Sequence, residues 1–565
     1  MTFPWVGQYD PGVPWEIEPT ETSLPWLLIR AAEKSPQAPA LAFAGGTITY
    51  QRLRDQTARL AQALSALGFS PGERLAILLP NCPQLVMAYY GALHLGGAVV
   101  LNNPLLSPQE IAYQLKDSGC RYLLVLDHLW PKVEEVWGEL DLSHLIVTGL
   151  ADYLPRPLRW LYPLKAKRQG LPGGFRPGPG RHKWRDLLRS SPLTAPPRSG
   201  PGDMAVLQYT GGTTGTPKAA VLTHGNLLAN VAQINAWLHR ARYGQERMVG
   251  LIPFFHAFGL TACLNWPVSQ GAMIIVLPRF EIKGFLGMLK KYRPTMLPGV
   301  PTLFVALINH PDLPRYDLSS LWACISGSAP LPQEVRDRFE EITGCRILEG
   351  YGLTETSPVT HINPLLGERP PGSMGLPLPG TQAKVVDAES GTRELPPGEV
   401  GEIILRGPQI MAGYLNRPQE TALVLRDGWL FTGDLARMDE KGYFYIIDRK
   451  KDLIIDGGYK IYPREVEEIL YQHPQVKEAV VLGVPDAYRG EVVKVVIVPQ
   501  DGAPLKAEDI HQYLTPRLAT YKLPKIIEFR AELPKSQVGK VLRRVLREEA
   551  CSQAAANPGE TGRRS

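Results

Sequence analysis

The hydrophobic profile is dominated by two stretches without a charged residue, Leu75 to Gln109 and Met248 to Pro278. Each approaches the length of a membrane span, about 20 apolar residues, yet each is broken by proline, glycine and asparagine where turns should fall. The first divides into "RLAILLP", "QLVMAYYGALHLGG" and "AVVLNN", the second into "VGLIPF", "GLTACLNWPVSQG" and "AMIIVLP". Continuous apolar runs on either side of a longer segment are the pattern of strand, helix, strand, with strands buried on both faces of a parallel sheet. Both stretches are therefore predicted to be βαβ units. The alternation recurs in "LWACI" followed by "QEVRDRFEEIT", and "CRIL" reads as a further strand. The expected fold class is α/β, mixed and multidomain.

A chain of 565 residues, 44% hydrophobic and 21% charged, is long enough for several globular domains with full cores. Its six cysteines are scattered without a CxxC pair, which argues against a zinc site or a disulfide framework and fits a reducing cytoplasm. The N-terminal "MTFPWVGQYDPGVPWEIEPTE" lacks a basic start and a continuous apolar core, so neither a signal peptide nor a membrane anchor is expected there. Charge is uneven. Residues 151–202 carry eleven Lys or Arg against two Asp, a net +9 in a chain whose total is +6. Trp160, Tyr162, Phe175 and Trp184 lie among these basic residues. Such a segment suits an acidic membrane surface or a nucleic acid backbone, and equally a solvated insertion.

The candidate chemistry starts at "YTGGTTGTPKAAVLTHGNLLAN", Tyr209 to Asn230. Glycines let backbone N–H groups approach an anion, threonine hydroxyls add donors and Lys218 adds a charge, which together describe a phosphate cradle. A Walker loop is excluded, because Pro217 precedes the lysine and Ala219 follows it. The bland alternative, a flexible linker, does not explain a Pro-Lys end running into an apolar strand.

Five short motifs follow in order. "SGSAP" (Ser326 to Pro330) is a small-residue turn between strand and helix, where a flat ring could lie. "EGYGLTE" (Glu349 to Glu355) offers an aromatic, a hydroxyl and a carboxylate, the last a natural Mg2+ ligand beside a triphosphate. "GWLFTGD" (Gly428 to Asp434) places an acid after a turn, where it could accept from both ribose hydroxyls. "DRKKDLI" supplies Arg449 and Lys451, and "PKSQVGK" ends in Lys540.

In this order the motifs resemble those of the adenylate-forming superfamily of acyl-CoA synthetases, luciferases and peptide-synthetase adenylation domains, over essentially the whole chain. A narrower resemblance, to bacterial long-chain fatty acid:CoA ligases, rests on "YTGGTTGTPK", "ILEGYGLTE", "DRKKDLI", "YKLPKIIEFRAELPKSQVGK" and the basic stretch before Asp203. The resemblance implies that Thr210, Gly211, Gly212, Thr213, Thr214, Gly215, Thr216, Pro217 and Lys218 hold the ATP phosphates. It implies that Thr354 and Glu355 meet the α-phosphate, with Glu355 and Thr213 on Mg2+. Gly327, Ser328 and Tyr351 would flank adenine, within a nucleotide-contacting run of Glu349, Gly350, Tyr351 and Gly352. Asp434 and Arg449 would bind ribose. Lys540 would bridge the fatty carboxylate and the α-phosphate, and Lys451 would be the hinge of a small mobile C-terminal domain. Gly457 and Gly458, with His256, would belong to the CoA or acyl site, although a buried structural histidine fits His256 as well.

The implied architecture is a large N-terminal adenylate-forming domain with βαβ subdomains over residues 1–447 and a hinge at 448–451. A small α+β domain would follow at 452–551, with a tail without fixed structure at 552–565. The implied reaction converts a long-chain fatty acid, ATP and coenzyme A to acyl-CoA, AMP and pyrophosphate through acyl-AMP. Rival readings are a medium-chain or aryl acid:CoA ligase, a carrier-protein-loading enzyme, a luciferase-like oxygenase and, in another class, a catalytically inactive nucleotide-gated membrane-docking protein. No nucleic-acid partner is implied, and a homodimer is allowed. The expected location is cytoplasmic, with peripheral contact of 151–202 at the inner face of the cell membrane. One departure is Ala219, where the superfamily usually has glycine; it is without consequence if its φ is negative.

Overall fold

A computed structural model describes residues 3–18, 22–155, 158–160, 162, 175, 177–210, 216–486, 488–500, 504–535 and 541–556. The chain packs into two compact units, residues 1–382 with 406–430, and residues 383–405 with 431–565.

The first unit contains two large sheets. The predicted unit at Leu75 to Gln109 is present as strand Arg74–Leu78, helix Pro83–His94 and strand Ala98–Leu101, the two strands adjacent and parallel. The helix is buried nearly all round, which is why its sequence shows no polar stripe. The unit at Met248 to Pro278 is present as strand Arg247–Gly250, a wide π-type turn over Gly259–Asn265 continuing into helix Trp266–Ser269, and the parallel strand Met273–Val276. The first pair lies in an eight-stranded sheet and the second in a nine-stranded one. Both are parallel in the middle, as continuous apolar strands require; antiparallel pairs lie at both ends of the nine-stranded sheet and at one end of the eight-stranded one.

Strand Ala323–Ser326 and helix Gln333–Thr343 fall where the pattern placed them. "CRIL" runs further than predicted: the strand is Ile347–Gly352, so the first half of "EGYGLTE" is sheet. The basic stretch 151–202 also needs correction, since it is not one solvated insertion. Arg181–Lys183 form an edge strand parallel to His144–Thr148, and Trp184, 1% exposed, is core at the start of the short helix Trp184–Leu187. Phe175 meets Trp130 edge-on at 6.0 Å. Of the four aromatics only Trp160, 75% exposed, stands out into solvent, next to the exposed Leu158. Residues 156–157, 161, 163–174 and 176, which include most of the Lys and Arg in its first half, lie outside the described residues. Among the described residues no helix is long and apolar enough to cross a membrane.

The second unit has an α+β C-terminal portion built on the long antiparallel pair Val476–Asp486 and Gly490–Pro499, with Ile526–Phe529 parallel on one side. Val481, Val493, Val495 and Ile497 face one core, with Val466 and Leu470 of helix Pro463–Tyr471. Val480, Leu482, Val496 and Val498 face the other, with Leu546 of helix Arg543–Ala556. Period-2 alternation with both faces covered explains why "AVVLGV" reads as an unbroken apolar run.

Candidate functional site

The glycine-threonine loop is the connection of an antiparallel hairpin. Strand Met204–Thr210 runs in, strand Lys218–Thr223 runs out, and Thr210 and Lys218 are paired across its base. Gly211, Gly212, Thr213, Thr214 and Gly215 lie outside the described residues. Their flanks are held from behind. Tyr113 donates its hydroxyl to the Pro217 carbonyl at 2.9 Å, Tyr209 donates to Asp117 at 2.8 Å, and Arg417 pairs with the other Asp117 oxygen at 2.8 Å. Ala219 is extended, paired with Tyr209 and absent from the left-handed region, so the missing glycine costs nothing.

Glu355 is tied to the outgoing strand through a short neighbouring one. Gly413–Tyr414 pairs with Ala220 and Val221. Just before it, Met411 N–H donates to the Glu355 carbonyl at 2.8 Å, and the Tyr414 hydroxyl donates to Glu355 Oε1 at 2.8 Å. The Lys218 ammonium lies 5.5 Å from the centre of the Tyr414 ring, within cation–π range. Burial first, and the Glu355 carboxylate second, push the Tyr414 phenol up, so it stays protonated as a donor. Lys218, Tyr414 and Glu355 thus form one cluster beside the loop. Tyr414 was not singled out in the sequence; its only local signal is an aromatic in the turn-rich "MAGYLNRP".

The strands that lead into "SGSAP" and "EGYGLTE" are parallel neighbours. Ser326 is in register with Glu349, and the Glu349 carboxylate accepts from Leu331 N–H at 3.3 Å, tying the turn to the strand. Ser328 adopts φ +69°, and Gly327 lies against the Phe258 ring. Gly350 and Tyr351 pair with Ile362 and His361, and the Tyr351 and His361 rings meet at 5.8 Å. Burial lowers the His361 pKa to about 3, which leaves the ring neutral at physiological pH. Gly352 must be glycine, because a Cβ there would sit 2.0 Å from the Pro358 carbonyl oxygen. Thr354–Thr356 then form a single 3-10 turn that presents Thr354 and Glu355. His256 Nδ1 accepts from Phe258 N–H at 3.3 Å, a local bond.

In the second unit, Asp434 lies within strand Trp429–Met438 rather than just after a turn as the sequence suggested. It is directly opposite Arg449 on Phe444–Arg449, with the two side chains 3.1 Å apart and Asp434 only 4% exposed. A buried acid oriented by a guanidinium suits recognition of a diol. Arg449 opens a turn closed by Asp452 N–H to the Arg449 carbonyl at 2.9 Å, with Lys450 and Lys451 at its corners. Burial lowers the Lys451 pKa against the opposing pull of Asp452. Gly457 and Gly458, at φ +57° and +91°, make the two-residue turn between Ile454–Asp456 and Tyr459–Ile461. Lys540 lies outside the described residues; Lys535 and Val541 on either side of that stretch pair as an antiparallel bridge.

The chain is similar to known proteins over nearly its whole length. The profile of the AMP-binding enzyme matches residues 28–415, and that of the AMP-binding enzyme C-terminal domain matches residues 465–540. A long-chain-fatty-acid–CoA ligase of Bacillus subtilis (strain 168) is 46% identical over 549 residues, covering 97% of this chain and 98% of its own length. One from Escherichia coli O157:H7 is 38% identical over 554 residues, with the same coverage. Among solved structures, ATP-bound MatB from Rhodopseudomonas palustris is similar with a TM-score of 0.82 at 30% identity, covering 94% of this chain and 99% of that one. A hairpin loop backed by Lys218 and Glu355, with motifs matching on both sides of it over nearly the full length, leaves one conclusion: this chain belongs to the AMP-binding enzyme family.

Proposed function

We propose that the chain is an ATP-dependent long-chain fatty acid:CoA ligase. The observation that carries this reading is the 46% identity, over nearly the whole of both chains, with a ligase named for that substrate. In the first half-reaction an oxygen of the fatty carboxylate attacks the α-phosphorus of ATP. The bond to the bridging oxygen of the β-phosphate breaks and pyrophosphate leaves, giving acyl-AMP. In the second, the CoA thiol loses its proton and attacks the acyl carbonyl, AMP leaves, and the thioester forms. Bringing a carboxylate to within about 4 Å of a phosphate charge costs ~4 kcal/mol per charge pair at an effective dielectric of ~20. Cationic groups must offset that repulsion. Lys218 and the loop hold the departing phosphates, Lys540 bridges the two anions, and Asp434, aligned by Arg449, accepts from the ribose hydroxyls. Tyr351, Gly327 and Ser328 flank the base. Lys451 serves as a backbone pivot and Gly457–Gly458 as part of the CoA-facing surface.

Mg2+ fits the donor set. Glu355 keeps one oxygen on Tyr414 and has a second available to a cation, and Mg2+ takes one or two carboxylates together with phosphate oxygens. Among the described residues no group of three His, Cys, Asp or Glu is placed to hold a metal ion. Bound there, with Thr213 as a further ligand, it would neutralise phosphate charge.

The test is a panel of acids in a CoA-dependent AMP-release assay. Saturated acids of about twelve to eighteen carbons should be the best substrates, since each buried CH2 contributes ~0.8 kcal/mol and eight more methylenes about 6 kcal/mol at most. Apolar segments Phe254 to Leu264 and Pro298 to Ile308 support the preference, although Leu303, Phe304 and Leu307 of the second belong to the core. Benzoate or acetate as the best substrate would sink the reading, and ADP as product would mean that the loop had been misread.

Peripheral docking on anionic membranes is proposed for the first half of the basic stretch, where Arg159 stands between the exposed Leu158 and Trp160. Deleting 151–202 whole would remove an edge strand and a core tryptophan. The cleaner variant changes Arg156, Arg159, Lys165, Lys167, Arg168 and Arg176 to glutamine. With ~1 kcal/mol per basic residue near such a surface, it should no longer float with phosphatidylserine vesicles at a salt concentration where the parent does. Equal flotation of the two proteins would return the segment to a solvated loop.

A further inference from the structure

We propose that Tyr414 is a positioning residue of the phosphate site, its hydroxyl fixing the Glu355 carboxylate and its ring seating the Lys218 ammonium. The inference rests on the nucleotide reading of the loop and goes beyond it in assigning one residue to two groups of opposite charge. Five contacts carry it. Tyr414 is fixed on the sheet by pairing with Ala220, two residues beyond Lys218. Its hydroxyl donates to Glu355 Oε1 at 2.8 Å, and its ring centre is 5.5 Å from the Lys218 ammonium. The same stretch of chain holds the Glu355 backbone through Met411 N–H at 2.8 Å. Tyr414 N–H in turn donates to Thr421 Oγ1 at 2.9 Å, which pins its own position.

The arrangement answers a physical problem. A carboxylate and an ammonium beside one phosphate site would pair with each other if both were free to swing. Placing a phenol between them gives the carboxylate a neutral donor and the ammonium a π face. Neither group is then consumed by the other, and each keeps capacity for the nucleotide or for the ion that accompanies it. Phenylalanine at 414 would keep the ring and lose the donor, whereas leucine would lose both, so the two roles separate by substitution.

The experiment measures ATP affinity by calorimetry on the full chain without fatty acid, once in EDTA and once in saturating Mg2+. Tyr414→Phe should leave the EDTA affinity near that of the parent and reduce the gain conferred by Mg2+ about tenfold, the usual scale for a lost hydrogen bond to a charged group. Glu355→Gln should reduce the same gain, and the Tyr414→Phe, Glu355→Gln double variant should be no worse than Glu355→Gln alone, because Tyr414 acts through Glu355. Tyr414→Leu should in addition weaken binding in EDTA. Tyr414→His, which keeps an aromatic donor, should recover part of the Mg2+ gain and covers the case in which the phenylalanine variant folds poorly. A full Mg2+ gain in Tyr414→Phe, or simple additivity in the double variant, would overturn the assignment. A parent protein that does not bind ATP at all would overturn the nucleotide reading itself, and the assignment with it.

Discussion

Alanine at Lys540 is expected to lower acid-dependent ATP/pyrophosphate exchange by at least about 10²-fold, the consequence of withdrawing ~3 kcal/mol of charge stabilisation from the adenylation transition state. The same variant, supplied with synthetic acyl-AMP and CoA, should still form acyl-CoA, since thioester formation attacks the acyl carbonyl and no longer has a carboxylate and an α-phosphate to bridge. The fold should tolerate the change. On one side of residue 540 Lys535 pairs with Val541 in a bridge, and Leu542 N–H donates to the Pro534 carbonyl at 2.8 Å. Further along, Arg543 pairs with the buried Glu467 at 2.7 Å and starts the last helix. These contacts anchor the chain on either side of residues 536–540. Equal loss of both half-reactions in a folded variant would remove Lys540 from a role specific to adenylation.

What could be read from the sequence depended on the range of the interaction. Both βαβ units were legible, because burial on two faces of a parallel sheet leaves continuous apolar strands and little else does. Glu355, Asp434 and Arg449 stand out in the sequence as types in a fixed order, while the cross-strand pairing of Asp434 with Arg449 does not. Tyr414 was not, because its role arises from a strand pairing with residues nearly two hundred positions earlier, and no local pattern encodes that. Trp184 was misread for a related reason: amid arginines and prolines a tryptophan looks like a surface anchor, and only the edge strand before it shows that it turns inward. The second unit likewise joins 383–405 to 431–565 through contacts such as Thr432 to the Ile403 carbonyl at 2.7 Å and Gly433 N–H to Glu402 at 3.0 Å. A linear pattern gives no sign of them.

Proline at Lys451 is expected to do the reverse of alanine at Lys540, preserving exchange and impairing transfer to CoA. Lys451 is the third residue of the turn closed by Asp452 N–H on the Arg449 carbonyl. A proline there fixes φ near −65° and drives Lys450 out of the helical region, so the turn loses conformations it would need in order to pivot. A backbone restriction worth about 1–3 kcal/mol converts to about 5- to 150-fold in the step that requires the movement. The groups assigned to adenylation should survive it: Asp434 and Arg449 are set by antiparallel pairing upstream of the turn, and Lys450 N–H, bonded to the Gly433 carbonyl at 2.9 Å, is not the one removed. Proline at 450 would break that bond and confuse the result. Lys451→Ala separates backbone from side chain, since it removes the ammonium and leaves φ free. It should retain both half-reactions if the position acts as a pivot. If instead the alanine variant loses transfer as fully as the proline variant, the charge is what matters at Lys451; if the proline variant transfers normally, the pivot lies elsewhere in the chain.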